Sequence, residues 1–263
     1  MEIASELADI GYAAIGDRSK RDSTLRLENN QYLGIGRSTN IGDIPRPAIG
    51  AGSRQLGEPE FFKLTRYITV FLVDDSSSME DIPEEGISLW SDTTRCLAKC
   101  AGLVLGARGR LKVHFFNSTR SRENISGVPE LQELCRFTPR GDTPTYQRLK
   151  GHLDGFLEDF TPLTAKQRDA HSGLNLIIFT DGAPEDPFED IEEAIVDTAR
   201  ELDKFRAEKY KVGVQFVQIG NDESVTNFFQ RIDDEIKGDN GLKRDVCHEL
   251  PIVSILPDQR FDH

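Results

Sequence analysis

Nowhere in these 263 residues do apolar side chains run on long enough to cross a bilayer as a helix, which takes roughly 20 in succession. No membrane insertion is expected. Positive charge is also in short supply: 32 lysines and arginines face 45 aspartates and glutamates, giving a net charge of −13. Phosphate backbones and anionic lipid surfaces repel such a chain at long range, so no nucleic acid is expected as a partner. Cysteine is scarce, and Cys96, Cys100, Cys135 and Cys247 show no zinc spacing. The opening "MEIASELADIGYAAIGDRSK" lacks the basic-then-apolar build of a secretory leader. These features read as a reduced, cytoplasmic protein, with Cys96 and Cys100, one helical turn apart, as small core-facing groups. Missing as well are the glycine-rich loop of a P-loop nucleotide site and the G-x-S-x-G elbow of a serine hydrolase.

What is present divides into two parts. Residues 1–62 scatter Gly, Pro, Ser and Asn without a sustained period of 2 or 3.6 and read as a mostly irregular N-terminal arm. A short amphipathic helix through Ile3, Leu7 and Ile10 is the exception. Residues 63–263 read as one domain, long enough to bury a core without staples.

Within that domain strands alternate with helices. "YITVFLV" and "LNLIIFT" are nearly continuous apolar runs, as expected when helices cover both faces of a strand. "LKVHFFN" and "KVGVQFVQIG" are further strands, and "DVCHELPI" a last, short one. His114, inside the second strand, reads as a partly exposed or hydrogen-bonded residue rather than a ligand. Helical stripes recur at Leu97, Ala101 and Val104; at Tyr146, Leu149, Leu153 and Phe156; and at Ile191, Ile195, Ala199 and Leu202. Asp186 is the expected cap of this last helix, with Pro187 at its first position. A further helix covers "DESVTNFFQRIDDEI". The expected fold is α/β: a doubly wound, mostly parallel sheet with helices on both faces. Ligands of such sheets sit outside the carboxyl ends of the strands, near the point where strand order reverses. Two strands deliver aspartates there, Asp74 and Asp181.

Asp74, Ser76 and Ser78 form D-x-S-x-S, a spacing that turns three oxygen-bearing side chains toward one point when it follows a strand in a tight loop. Alone, the same pentapeptide also caps helices and fills turns. Two more oxygen-bearing loops belong to the same rim: "RGDTPT", with Thr143, and "IIFTDG", with Asp181. Hydroxyl and carboxylate oxygens without His or Cys suit a hard cation, so Mg²⁺, Mn²⁺ or Ca²⁺ fits better than zinc or copper.

The order strand-DxSxS, GxTPT, strand-TDG resembles that of the von Willebrand factor A domain family with an intact metal ion-dependent adhesion site, from about Tyr67 to about Ile252. The resemblance implies a Rossmann-like fold. It implies Ser76 and Ser78 as direct ligands, Thr143 as a ligand in some states, and Asp74 and Asp181 binding the ion directly or through its waters. The implied partner is a protein presenting Asp or Glu to the ion's open position. Two departures stand out. Ser77 and Asp142 occupy places where the family commonly has glycine, and a serine forced to positive φ would be strained by roughly 1–2 kcal/mol. Asp81 falls where integrin relatives place part of a second metal site, although a solvated acidic loop explains it as well. The close "VSILPDQRFDH" shows no long terminal helix of the kind that integrin-type domains use in opening and closing.

These observations favour a non-catalytic, metal-dependent protein-interaction module. A metal-independent adaptor would instead dock through the acidic helices at Pro187 to Phe205 and Glu223 to Ile236. A metal-assisted phosphohydrolase is the third reading, since a strand-terminal Asp beside a hard cation is how several phosphatases begin. Ser76 stands where a nucleophile-aspartate phosphatase of the haloacid dehalogenase type needs its second aspartate.

Overall fold

The computed structural model describes residues 61–83, 86–182, 186–237 and 247–249. The arm lies outside this range except for its last two residues, which begin a 3-10 turn at Phe61–Arg66. The opening helix, the chain on either side of the last strand and the C-terminal tail lie outside it too.

Five strands form one sheet: β1 Tyr67–Val73, β2 Arg110–Phe115, β3 Gly173–Thr180, β4 Val212–Gln218 and β5 Cys247–Glu249. Their order is β2-β1-β3-β4-β5, and every pairing is parallel. The register places Val73 beside both Phe115 and Phe179, so the first three strands end at one level. β3 is buried along its whole length, which accounts for its unbroken apolar sequence.

Alternate strand residues feed two cores. Val70, Leu72, Leu176, Ile178 and Val214 face one side. There they meet α3 Thr145–Phe160, α5 Phe188–Lys204 and α6 Glu223–Lys237. Phe71, Val73, Ile177, Phe179 and Val217 face the other, against α1 Leu89–Gly106 and α2 Val128–Leu134. The period-2 alternation of a strand thus joins the two helical layers through one sheet. Every residue of two predicted stripes, Leu97, Ala101, Val104 and Ile191, Ile195, Ala199, Leu202, is 0 % exposed. The doubly wound α/β fold is as expected.

Two details differ from the sequence reading. Asp186 does not cap α5: Pro187 is the N-cap residue and supplies no side-chain bond. Instead, Asp186 Oδ2 accepts the backbone N–H of Tyr146 at 2.8 Å. Tyr146 is the second residue of α3, whose own cap residue, Pro144, has no side-chain acceptor for the orphan amides of that turn. Two helices were also unmarked by periodicity, α2 and the six-residue α4 Ala165–Ala170. Both are too short to show a stripe, although α4 carries a capping box of Thr164 and Gln167.

β1 sits between β2 and β3, so the chain leaves β1 toward one edge of the sheet and returns on its other side. The crevice between the carboxyl ends of β1 and β3 is therefore the switch point in strand order.

Candidate metal centre at the carboxyl rim

The rim begins where β1 stops being apolar. Asp74 is 0 % exposed although it carries a carboxylate, and both of its oxygens are engaged. Oδ1 accepts the N–H of Ser76 at 2.8 Å, and Oδ2 accepts the hydroxyl of Thr180 at 2.6 Å. Its backbone N–H donates to Phe179 O at 2.8 Å, continuing the β1–β3 ladder past the last strand residue. Burial raises the Asp74 carboxyl to about 6; the bonds from Thr180 and Ser76 oppose the rise and the charge of Asp181 adds to it.

Ser76 follows as the N-cap residue of a 3-10 turn, Ser77–Glu80. Its Oγ lies 3.0 Å from Ser78 Oγ, and Ser78 Oγ donates to Asp181 Oδ1 at 3.1 Å. Asp181 follows β3 directly as Asp74 follows β1. Its carboxyl is also raised, first by burial and then by the charges of Asp81 and Asp222. Direct hydrogen bonds thus join four of the five predicted residues: Asp74, Ser76, Ser78 and Asp181.

Thr143 makes no hydrogen bond to the other four. Its side chain is nearly buried, and its hydroxyl is unpaired among the described residues. The loop is fastened through Ser77 and Gly141: Ser77 N–H and Oγ donate to Gly141 O at 3.1 and 3.3 Å, while Ser77 Oγ accepts Gly141 N–H at 3.2 Å. This revises the expectation of strain at Ser77. Among the described non-glycine residues positive φ occurs at Arg108 and Arg206, and Ser77 sits in an ordinary 3-10 turn. The conformational demand falls on Gly141 instead, with φ of 121° and only 2.5 Å between a hypothetical Cβ and Asn117 Cγ.

Asp75 had no role in the sequence reading, yet it is 1 % exposed and ties three loops together. Its carboxylate accepts the N–H groups of Asn117 and Ser118 at 2.7 and 2.8 Å and Asn117 Nδ2 at 3.2 Å. Its carbonyl accepts Arg140 N–H at 2.7 Å. Thr180 and Asn117 were likewise missed, and the available signal was their position at strand ends. Asp142 and Asp81 are exposed.

Among the described residues no three His, Cys, Asp or Glu side chains converge where a metal ion could sit. A cation at this rim must therefore draw on hydroxyls. The spacing of the donors is that of ordinary hydrogen bonds and is close to the edge of a Mg²⁺ octahedron, whose oxygens lie about 2.9 Å apart for bonds of about 2.0–2.1 Å. The Ser76–Ser78 and Ser78–Asp181 contacts are 3.0 and 3.1 Å.

His114 is hydrogen-bonded, as expected: Nε2 lies 3.0 Å from Glu123 Oε1, and the ring packs 4.9 Å from that of His152. Cys96 and Cys100 are free thiols packed at the edge of the α1 core.

The molecule is thus a doubly wound parallel α/β domain with an oxygen-rich cluster at its switch point. No family model matches the chain, and no curated protein matches it. Among solved structures 29 chains match. One, described as the crystal structure of the SpRpn10 VWA domain, aligns over 73% of this chain and 90% of its own, with 12% identity and a TM-score of 0.44. The fold assignment rests on the strand order and pairings of this chain itself. Among its described residues no helix is long and apolar enough to cross a membrane.

Proposed function

We propose that the chain is a non-catalytic, cytoplasmic protein-interaction module whose rim holds a divalent hard cation, Mg²⁺ or else Mn²⁺ or Ca²⁺, and docks a partner's Asp or Glu on it. The observation that carries this reading is the bonded oxygen cluster Ser76–Ser78–Asp181, standing over Asp74 at the switch point. Ser76, Ser78 and Asp181 would face the ion, Thr143 would bring its unpaired hydroxyl, and Asp74 would orient Ser76 through the N–H it accepts. With two serine ligands adding no charge, such an ion stays strongly electrophilic and supplies a cationic docking point for a carboxylate. The hydroxyl–carboxylate contact in the cluster, Ser78 to Asp181, is assigned to holding the ion, and on that assignment an interaction role is preferred to hydrolysis. The acidic faces of α5 and α6 remain the metal-independent alternative.

Calorimetric titration with Mg²⁺ and Mn²⁺ tests the reading. The wild type should bind one ion, and Ser76→Ala with Ser78→Ala should lose that binding while retaining the fold by circular dichroism. Unchanged affinity in the folded double variant would sink the proposal.

A further inference from the structure

Charge is not spread evenly over this acidic chain. Residues 95–150 hold eleven lysines and arginines against four aspartates and glutamates, whereas α5 alone carries seven acidic residues and two basic ones. The basic stretch comprises most of α1, β2, the loop after β2, α2, the loop leading into α3 and the first turns of that helix; Arg108 and Arg110 within it stand at the amino end of β2, away from the rim. Asp181 and Asp222 stand on the other side of the switch point, beyond β3 and β4. At the rim itself the contrast is between Arg120 and Arg140, in the loops on the β2 side, and Asp181 and Asp222 on the β4 side.

Several of the basic groups are not consumed by neighbours. Lys112 and Arg136 pair with Glu123 and Glu133. In contrast, Arg120, Arg122, Arg140 and Arg148 are exposed and make no ion pair with any described residue. Two of them belong to loops whose backbone is tied to the strand end that carries the serine cluster. Arg140 donates its N–H to Asp75 O and directly precedes Gly141, the residue clasped by Ser77. Arg120 lies two residues beyond Ser118, which the Asp75 carboxylate holds. Its guanidinium is placed 5.3 Å over the Phe137 ring, and Nη1 donates to Arg136 O at 3.4 Å. An arginine that stacks on a ring with one N–H engaged keeps its other donors for an acceptor, at reduced entropic cost. Asp142 is the carboxylate that interrupts this side of the rim, and its exposure leaves it well solvated.

From this arrangement we infer that the partner is an acidic peptide segment, with several carboxylates close in sequence. One carboxylate occupies the serine cluster, and those next to it lie toward β2 on Arg140 and Arg120. The inference rests on the docking role proposed for the cluster and adds the partner's chemistry and the direction in which it lies. Charge complementarity chooses this occupant: an acidic segment running the other way would meet Asp181, Asp222 and the acidic helices.

The test uses the full chain and two fluorescent peptides of equal length, one with four consecutive glutamates in a Gly/Ser background and one with a single glutamate. Binding is read by anisotropy in Mg²⁺ and in EDTA. The expected result is that the clustered peptide binds about tenfold more tightly than the single-glutamate peptide in Mg²⁺, as two or three exposed charge pairs would give. Arg120→Gln with Arg140→Gln should bring the affinities of the two peptides in Mg²⁺ to within about twofold of each other; both positions are exposed, so the variant is expected to fold.

Equal affinities for the two peptides would overturn the inference, and if both remained EDTA-sensitive the metal reading would survive it. A preference that persists in the double variant would overturn it too. A preference that is arginine-dependent but indifferent to EDTA would support the acidic partner and sink the metal reading instead. Equally tight capture of a single-stranded oligonucleotide would show a surface that reads charge of any kind, against a carboxylate partner. A salt-sensitive dimer of the protein alone, lost in the double variant, would assign the surface to the acidic helices of a second copy.

Discussion

At the scale of single residues, the most consequential side chain at the rim is one whose sequence context said least. Asp75 stands beside Asp74 in a run of polar residues, and nothing in spacing separates a ligand from a clasp. Its role depends on Asn117, Ser118 and Arg140, which are distant in sequence and meet it only because β2 and the 140 loop end at the same level as β1. Replacing Asp75 by Ala leaves two backbone N–H groups without their acceptor. At about 1–3 kcal/mol for each buried donor left unmade, the loss should be on the order of 3 kcal/mol, and Asp75→Asn, which keeps one oxygen, should lose less. Urea denaturation measures both; a midpoint unmoved by Asp75→Ala would remove the clasp from the account. A second residue-scale expectation concerns pH. Burial, with neighbouring His114 second, pushes His152 down to about 4. An unfolded histidine takes up its proton near 6.5. Between those values the unfolded chain binds more protons, so this contribution to stability is complete above pH 6.5 and declines as pH falls toward 4. The decline is at most about 3 kcal/mol and less in practice, because the ring is partly solvated. Comparing denaturation at pH 7 and 4.5, His152→Phe should flatten the difference; an identical slope in the variant would place the acid sensitivity elsewhere.

Elements were easier to read than their ends. The stripe Ile191, Ile195, Ala199 and Leu202 announces α5 because burial against a sheet requires apolar residues at helical spacing, and all four are in the core. The strands were legible for a related reason: a central parallel strand has no solvent face, so β1 and β3 could only be apolar runs. Caps follow a different logic, since an orphan amide accepts whichever oxygen the tertiary fold brings near. Asp186 precedes α5 in sequence and looks like its cap, yet it serves α3, forty residues earlier. Asp186→Ala should therefore cost about 1 kcal/mol, typical of a lost cap. Hydrogen exchange can tell which helix loses it: the Tyr146 amide should exchange faster while the first-turn amides of α5 keep their rates. Faster exchange confined to α5 would restore the sequence reading. The short helices α2 and α4 show the remaining limit, because one or two turns cannot display a period however well they pack.

For the whole molecule, two of the three oxygen-bearing motifs could be read as meeting because each follows a strand of one parallel sheet: the sheet gathers their carboxyl ends and bonds Ser78 to Asp181, while the third loop is held through Gly141 and leaves Thr143 unbonded to the rest. The clasp that holds those loops at one level was not legible, since it is made by backbone groups, which no residue type announces. The same cluster carries a stability penalty that involves the whole chain. Asp74 and Asp181 are both raised by burial, so holding them ionised near each other costs free energy, within a molecule whose net charge is already −13. A divalent cation seated among them would relieve that penalty and bind the folded state alone. At a free concentration about a hundred times its dissociation constant, such an ion adds about 2.7 kcal/mol. For a domain of this size that raises Tm by roughly 5–10 °C. The competing cause is general screening of the net charge, which any salt supplies. Melting the protein in MgCl₂ and in NaCl of matched ionic strength separates the two. The magnesium sample should melt several degrees higher, and Ser78→Ala should bring the two curves together. Coincident curves for the wild type would mean that the oxygens of Ser76, Ser78 and Asp181 satisfy one another and hold no ion.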